Sequence, residues 1–217
     1  MNKRMKTQEW YRRRTWSAED EAEFEINLAR ARGQRSEYLR IQATTLAETD
    51  DPALADSAMA LANRQLADDP DGIFRAQVLC TIARASATKG DVEGAVRAYR
   101  QAVKAEEGRG ARCGAYLEWA WFAVSRGLTE IYEEVLGALR SSMRDGDLVF
   151  PAAQYKYFGA LALISEALGD SGNAVRMARN ALDAAMKERS PFDRHPEVGL
   201  VEKRDTVVHR ELTRLAR

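Results

Sequence analysis

Cysteine, histidine and proline are scarce in this chain of 217 residues, at two, two and five copies, and each scarcity removes a class of explanation. Cys80 and Cys113 are too few for the disulfide framework of a small secreted domain, and neither stands near another cysteine or a histidine at metal-ligand spacing. Both read as small packing residues on helices, and no metal or cofactor is expected. No run approaches the roughly 18 apolar residues of a membrane span. The opening MNKRMKTQEWYRRRTW is basic but lacks the apolar stretch that follows in a secretory signal, so the expectation is a cytoplasmic protein that does not enter a membrane. A glycine-rich phosphate loop and a serine or cysteine nucleophile motif are also missing. No segment alternates with the period of two that a half-buried strand requires.

What the chain does contain is helix-forming. Hydrophobic residues make up 45% and charged residues 30%, with alanine, leucine, arginine and glutamate prominent, a composition suited to an all-α protein. The net charge is zero, yet its distribution is uneven. Residues 1–16 carry six Lys/Arg against one Glu, whereas residues 17–72 carry thirteen Asp/Glu against five Arg. A basic arm can therefore lie on an acidic surface, its own or a partner's.

Punctuation divides the chain into helices. Ser17 reads as an N-cap, with Glu19, Asp20 and Glu21 in the first turn and Arg30 and Arg32 before Gly33, which predicts a helix over 18–32. Ser36 opens the next, and Asp51-Pro52 caps and starts the one after. Further helices are predicted at 73–89, 92–107, 112–126, 129–144, 152–168, 171–187 and 202–217. The stretches KGDVEGAVRAYRQAV and LGDSGNAVRMARNAL share Gly-Asp, then Ala-Val-Arg, then Ala at equal offsets, and Gly127 and Asp51 mark similar points. The spacings Asp51 to Asp91, Gly90 to Gly127 and Gly127 to Gly169 are 40, 37 and 42 residues. The unit that recurs is a pair of helices.

With Leu79, Ala83, Gly90, Asp91, Ala95, Tyr99 and Ala102 in the best unit, this pattern resembles the tetratricopeptide repeat superfamily, over about residues 36–187. Tyr132 stands where that family has alanine, Ala178 replaces its aromatic, the closing proline is missing, and the spacings exceed its usual ~34 residues. With the flanks WYRRRTW, EYLRIQATTLA and HPEVGLV, the chain is similar to a group of bacterial tetratricopeptide-like proteins of about this length. The resemblance implies a tetratricopeptide-like superhelix of helical hairpins over 36–187, preceded by a basic arm and capping helix in 1–35 and followed by a loop and helix in 188–217. It also implies a concave groove lined by the first helix of each pair, binding a protein or peptide without catalysis.

Transferred position by position, that groove would be lined by Arg40, Thr44, Cys80, Arg84, Leu117, Trp121, Gly159 and Leu163, joined by Glu37, Gln77 and Lys156. Trp119 takes a core position, so Trp121 points roughly 200° away around the axis. It can anchor a partner or pack on a neighbouring hairpin or the C-terminal segment. The arm residues Trp10, Tyr11, Arg12, Arg13, Arg14 and Trp16, with Lys3, Arg4 and Lys6, suit phosphate contact and base stacking. The zero net charge and the acidic run behind them weigh against nucleic acid, and covering the open end of a helical stack is the preferred role for the rings. A third reading puts a hydrolase-like site in the loop SPFDRHPEVGL, with His195 near Asp193, Arg194 and Glu197, but no nucleophile accompanies it. His209 reads as a surface residue, and helix 202–217 leaves a homo-oligomer open.

Overall fold

The computed structural model describes residues 9–107, 111–202 and 206–217. Among them are ten α-helices and no strand, so the protein is all-α. The helices are α1 (Ala18–Arg30), α2 (Arg35–Ala47), α3 (Pro52–Asp68), α4 (Arg75–Thr88), α5 (Val92–Glu106), α6 (Ala115–Arg126), α7 (Tyr132–Ser142), α8 (Pro151–Ala167), α9 (Ser171–Ala185) and α10 (Val207–Leu215). Two compact units make up the chain, Met1–Ala115 and Tyr116–Arg217, and the division falls inside the stretch 36–187. No helix among the described residues is long and apolar enough to cross a membrane.

One local device recurs at the helix-pair turns. Gly90, Gly127 and Gly169 take φ of 83°, 65° and 83°, and Asp50 occupies the corresponding place at 56°. Around Gly90, its own N–H bonds the Ala87 carbonyl at 3.1 Å and the Asp91 N–H bonds Ser86 at 2.9 Å; Gly169 and Asp170 repeat this on Glu166 and Ser165 at 3.0 and 2.9 Å. Left-handed backbone thus closes the first helix by satisfying carbonyls that have lost their helical donors. The next residue opens the second helix: the carboxylates of Asp51, Asp91 and Asp170 accept from the backbone of Ala53, Gly94 and Asn173. Leu128 stands in that place after Gly127 and has no side-chain oxygen, and the chain makes a 3-10 turn at Thr129–Ile131 before α7.

Several helix ends differ from the predicted ones, two of them where a residue beyond the helix takes part. Ser17 caps α1 in a full capping box with Asp20, but α1 stops at Arg30 and leaves Arg32 outside. Ser36 does not open α2; Gln34 holds the cap position and the Ser36 hydroxyl instead accepts from Gln65 Nε2 of α3 at 3.0 Å. α6 begins at Ala115, not 112. Its start is set by the buried carboxylate of Glu106, which accepts from the backbone N–H groups of Cys113, Gly114 and Ala115 at 2.5, 2.8 and 3.2 Å.

In the first unit α2 packs with α3 and α4 with α5, while α4 also meets α3 and α2. Phe24, Leu28, Leu39 and Leu46 are fully buried there, each contributing roughly 1.5–3 kcal/mol by leaving water. Ala43, Ala58, Ala62, Ala83, Ala95 and Ala102 are buried as well, and their small side chains let neighbouring backbones approach. The second unit centres on the α8/α9 pair, with α10 lying against both. Ala162, Ala178, Ala181, Ile164 and Leu212 are buried in it, as are Tyr116 and Trp119 of α6.

Candidate functional site

The N-terminal arm is built onto the first unit. The Trp10 ring lies 4.7 Å from Tyr38 and 5.3 Å from Phe24, Tyr11 is 4.7 Å from Tyr38, and Trp16 is 5.3 Å from Phe24. Beneath them Gln42 is completely buried. Its amide pairs twice with the backbone of Arg13: the Arg13 N–H donates to Oε1 at 2.9 Å and Nε2 donates to the Arg13 carbonyl at 2.7 Å. The Arg13 guanidinium meets the carboxylates of Asp20 and Glu23. Donation from the Ser17 backbone N–H, with Thr15 and Arg13 adding to it, holds the Asp20 carboxyl below the ordinary range. Arg12 pairs with Glu9 at 2.6 Å, and Arg14 is exposed. Of the arm arginines proposed for phosphate contact, Arg12 and Arg13 are thus engaged by the chain's own carboxylates; Lys3, Arg4 and Lys6 lie outside the described residues.

The groove candidates of the first unit converge on the seam between α2 and α4. Arg40 donates to Gln77 Oε1 at 2.7 Å and to both Glu37 oxygens, with its guanidinium carbon 4.4 Å from the centre of the Phe74 ring. Thr44 and Thr81 share a hydrogen bond of 3.1 Å. Arg84 forks onto Asp50 with two bonds of 3.0 Å. Arg40, Thr44 and Gln77 therefore join α2 to α4, Arg84 ties α4 to the turn after α2, and a partner reaching them would meet side chains already hydrogen-bonded. Cys80 lies on α4, but Cys113 is not on a helix as the sequence reading had it. It is exposed in the segment before α6, where Gly114 at a φ of 73° breaks the helical backbone and the N–H groups of Cys113 and Gly114 donate to Glu106.

The second unit holds the rest of the groove set. Leu117 is buried, and Lys156 pairs with Glu118 at 2.6 Å. Trp121 is half-buried with its ring 5.2 Å from Tyr155. Gly159 of α8 is the seat of a three-way contact: a Cβ there would lie 3.1 Å from Trp121 Cζ3 and 3.2 Å from Leu212 Cδ1. The C-terminal helix thus lies on the face that Gly159 and Trp121 present, with Leu212 fully and Val208 almost fully buried.

Polar contacts fix its register. His209 Nδ1 is 3.1 Å from the Tyr155 hydroxyl, Arg214 bonds Glu166 at 2.5 Å, and Arg179 Nε donates to the Ala216 carbonyl at 3.2 Å. His209 is accordingly half-buried and not a surface residue, because its turn of α10 faces α8. Burial pushes the Tyr155 phenol up from its usual range. A cleft of about 280 Å³ remains beside α10, lined by Val124, Leu163, Glu166, Val207 and Glu211 among others.

Around His195 the chain turns on backbone bonds, His195 N–H to Phe192 at 2.9 Å and Ser190 N–H to Pro196 at 2.7 Å. Asp193, Arg194, His195 and Glu197 are all exposed, and the ring of Phe192 stacks on Phe150 at 5.3 Å. Sequence reasoning overlooked the roles of Gln42 and Glu106, whereas packing of Trp121 against the C-terminal segment was one of its two readings of that residue. A glutamine at a core offset was the available signal for the first, since a buried amide demands a backbone or side-chain partner. Comparison of the chain with family models, with curated proteins and with solved structures found no match.

Proposed function

We propose that this protein is a non-catalytic binding module of tetratricopeptide-like type, an adaptor, scaffold or regulatory subunit, and that the face of α8 and α9 in its second unit, with Trp121 of α6 beside it, receives an amphipathic helix. The observation that supports this is the seating of α10. An arginine-bearing helix of nine residues lies there with Leu212 on the bare backbone of Gly159 and beside the Trp121 ring. A helix that short is marginal alone in water, so it is ordered by the surface it covers. The chain carries its own ligand for that surface.

The chemistry of the resident helix describes what a partner must offer. Apolar residues at the spacing of Val208, Leu212 and Leu215 form one stripe, and a cation beside it, Arg214, meets Glu166. Burial of Val208 and Leu212 supplies about 3–5 kcal/mol before the cost of ordering the segment. A free peptide should then bind weakly, with a dissociation constant on the order of 1 mM.

The test is a fluorescence-anisotropy titration of a labelled peptide of residues 206–217 into the chain ending at residue 205 and into the full chain. The shortened chain should bind in that range, the full chain at least about tenfold more weakly, because its face is occupied. A shortened chain that keeps its helical content and does not bind, or one that unfolds, would make α10 a structural helix and remove the support for this reading.

A further inference from the structure

The only two cysteines in the sequence come from positions 33 residues apart, yet their sulfurs lie 3.9 Å from one another at the protein surface. Cys80 is half-buried on α4 and Cys113 is exposed. Hydrogen bonds hold the backbone around both cysteines. On one side of Cys113 the Ala111 N–H donates to the Ile73 carbonyl at 2.6 Å. On the other, Glu106 takes the N–H groups of Cys113, Gly114 and Ala115. Cys80 is carried by a helix tied to Arg40 of α2 through Gln77 and to Asp50, in the turn after α2, through Arg84. Both sulfurs are therefore delivered to one point by backbone that is held independently. A disulfide requires the sulfurs at about 2.05 Å, so each would have to move by about 0.9 Å, within reach of side-chain rotation.

We propose that Cys80 and Cys113 are a reversible thiol–disulfide pair oxidised by a peroxide. Cys113, the more exposed, reacts first. Its thiolate attacks one peroxide oxygen, the O–O bond breaks, and Cys113 becomes a sulfenic acid while hydroxide leaves and takes up a proton as water. The Cys80 thiolate then attacks the Cys113 sulfur, the S–O bond breaks, and a second water departs with the protons released by the thiols. Two electrons pass from the two sulfurs to hydrogen peroxide, which ends as two waters. The product ties the segment leading into α6 covalently to α4, closing a loop that contains α5. A thiol donor reverses the bond by exchange. This inference is independent of the helix-binding reading and stands or falls on its own chemistry.

The experiment treats the reduced full-length chain with a few-fold excess of hydrogen peroxide and follows free thiols, intact mass and a non-reducing peptide map. Both thiols should disappear together, with a mass loss of about 2 Da, a peptide linking Cys80 to Cys113, and full recovery on adding dithiothreitol. C80S should stop at a Cys113 sulfenic acid that dimedone traps. C113S should slow loss of the Cys80 thiol by about tenfold or more. Stepwise gain of oxygen on the unsubstituted chain, disulfides formed only between two chains, or an unchanged rate in C113S would overturn the proposal.

Discussion

Gln42→Leu tests whether the N-terminal arm is part of the folded unit. The substitution keeps the volume of a completely buried side chain but removes both bonds to the Arg13 backbone, at 2.9 and 2.7 Å. An N–H and a carbonyl would then face hydrocarbon, each at a cost of roughly 1–3 kcal/mol. The arm can escape that cost only by leaving, which exposes the Trp10, Tyr11 and Trp16 rings now packed on Phe24 and Tyr38. Either route loses about 2–4 kcal/mol, and the thermal midpoint should fall by roughly 5–15 °C in a chain of this size.

The assay is thermal unfolding by circular dichroism together with tryptophan emission, run on the full chain and on the chain starting at residue 17. In the full chain the emission should shift to the red as Trp10 and Trp16 meet water. In the shortened chain Gln42 has no Arg13 to serve, and the same substitution should change stability by less than about 0.5 kcal/mol or raise it. An equal loss in both backgrounds would refute the reasoning, because Gln42 would then be acting without the arm.

Gly159→Val puts a branched side chain where even one added carbon meets Trp121 and Leu212 at 3.1 and 3.2 Å. It should lift α10, and trypsin should cut after Arg210 at least about tenfold faster than in the unsubstituted chain. Glu106→Ala removes the acceptor of three N–H groups at the start of α6 and should cost about 2–4 kcal/mol, read as a lower urea midpoint. Asp20, held down first by the Ser17 N–H, and Glu25, held down first by the Arg64 guanidinium, bind protons less readily folded than unfolded. Their contribution is complete above the ordinary carboxylate range and is lost as pH falls through their lowered values. Urea midpoints should therefore be flat near pH 5–6 and decline below about pH 4; a midpoint that rises into acid would contradict this.

The parts of the fold that were legible in the sequence are those decided within one turn of chain. Gly90-Asp91 and Gly169-Asp170 announce a left-handed closure and a side-chain cap because both partners lie within a few residues. Asp51-Pro52 and Ser17 work in the same way. Two of the misread boundaries have partners beyond one turn of chain. Ser36 is claimed by Gln65, and the start of α6 answers to Glu106, whose role in capping another helix leaves no local trace. Among candidate residues, the positions transferred from the tetratricopeptide resemblance put Arg40, Thr44, Gln77 and Arg84 on one seam, since residues at helical offsets share a face. What period cannot say is which face another element covers. Nothing near residue 159 announces that Leu212 will sit on it, and nothing near residue 80 announces Cys113.

The proposal that the second unit binds a helix, with α10 as its resident ligand, is tested most directly by native-state hydrogen exchange of the full chain. Amides of Val207–Leu215 should exchange through an opening of their own, at least about tenfold faster than those of α8 and α9 and insensitive to low denaturant, because only a small surface is exposed when α10 leaves. If the α10 amides exchange only together with α8 and α9, at the rate of global unfolding, the helix is a fixed member of the core and the account is contradicted.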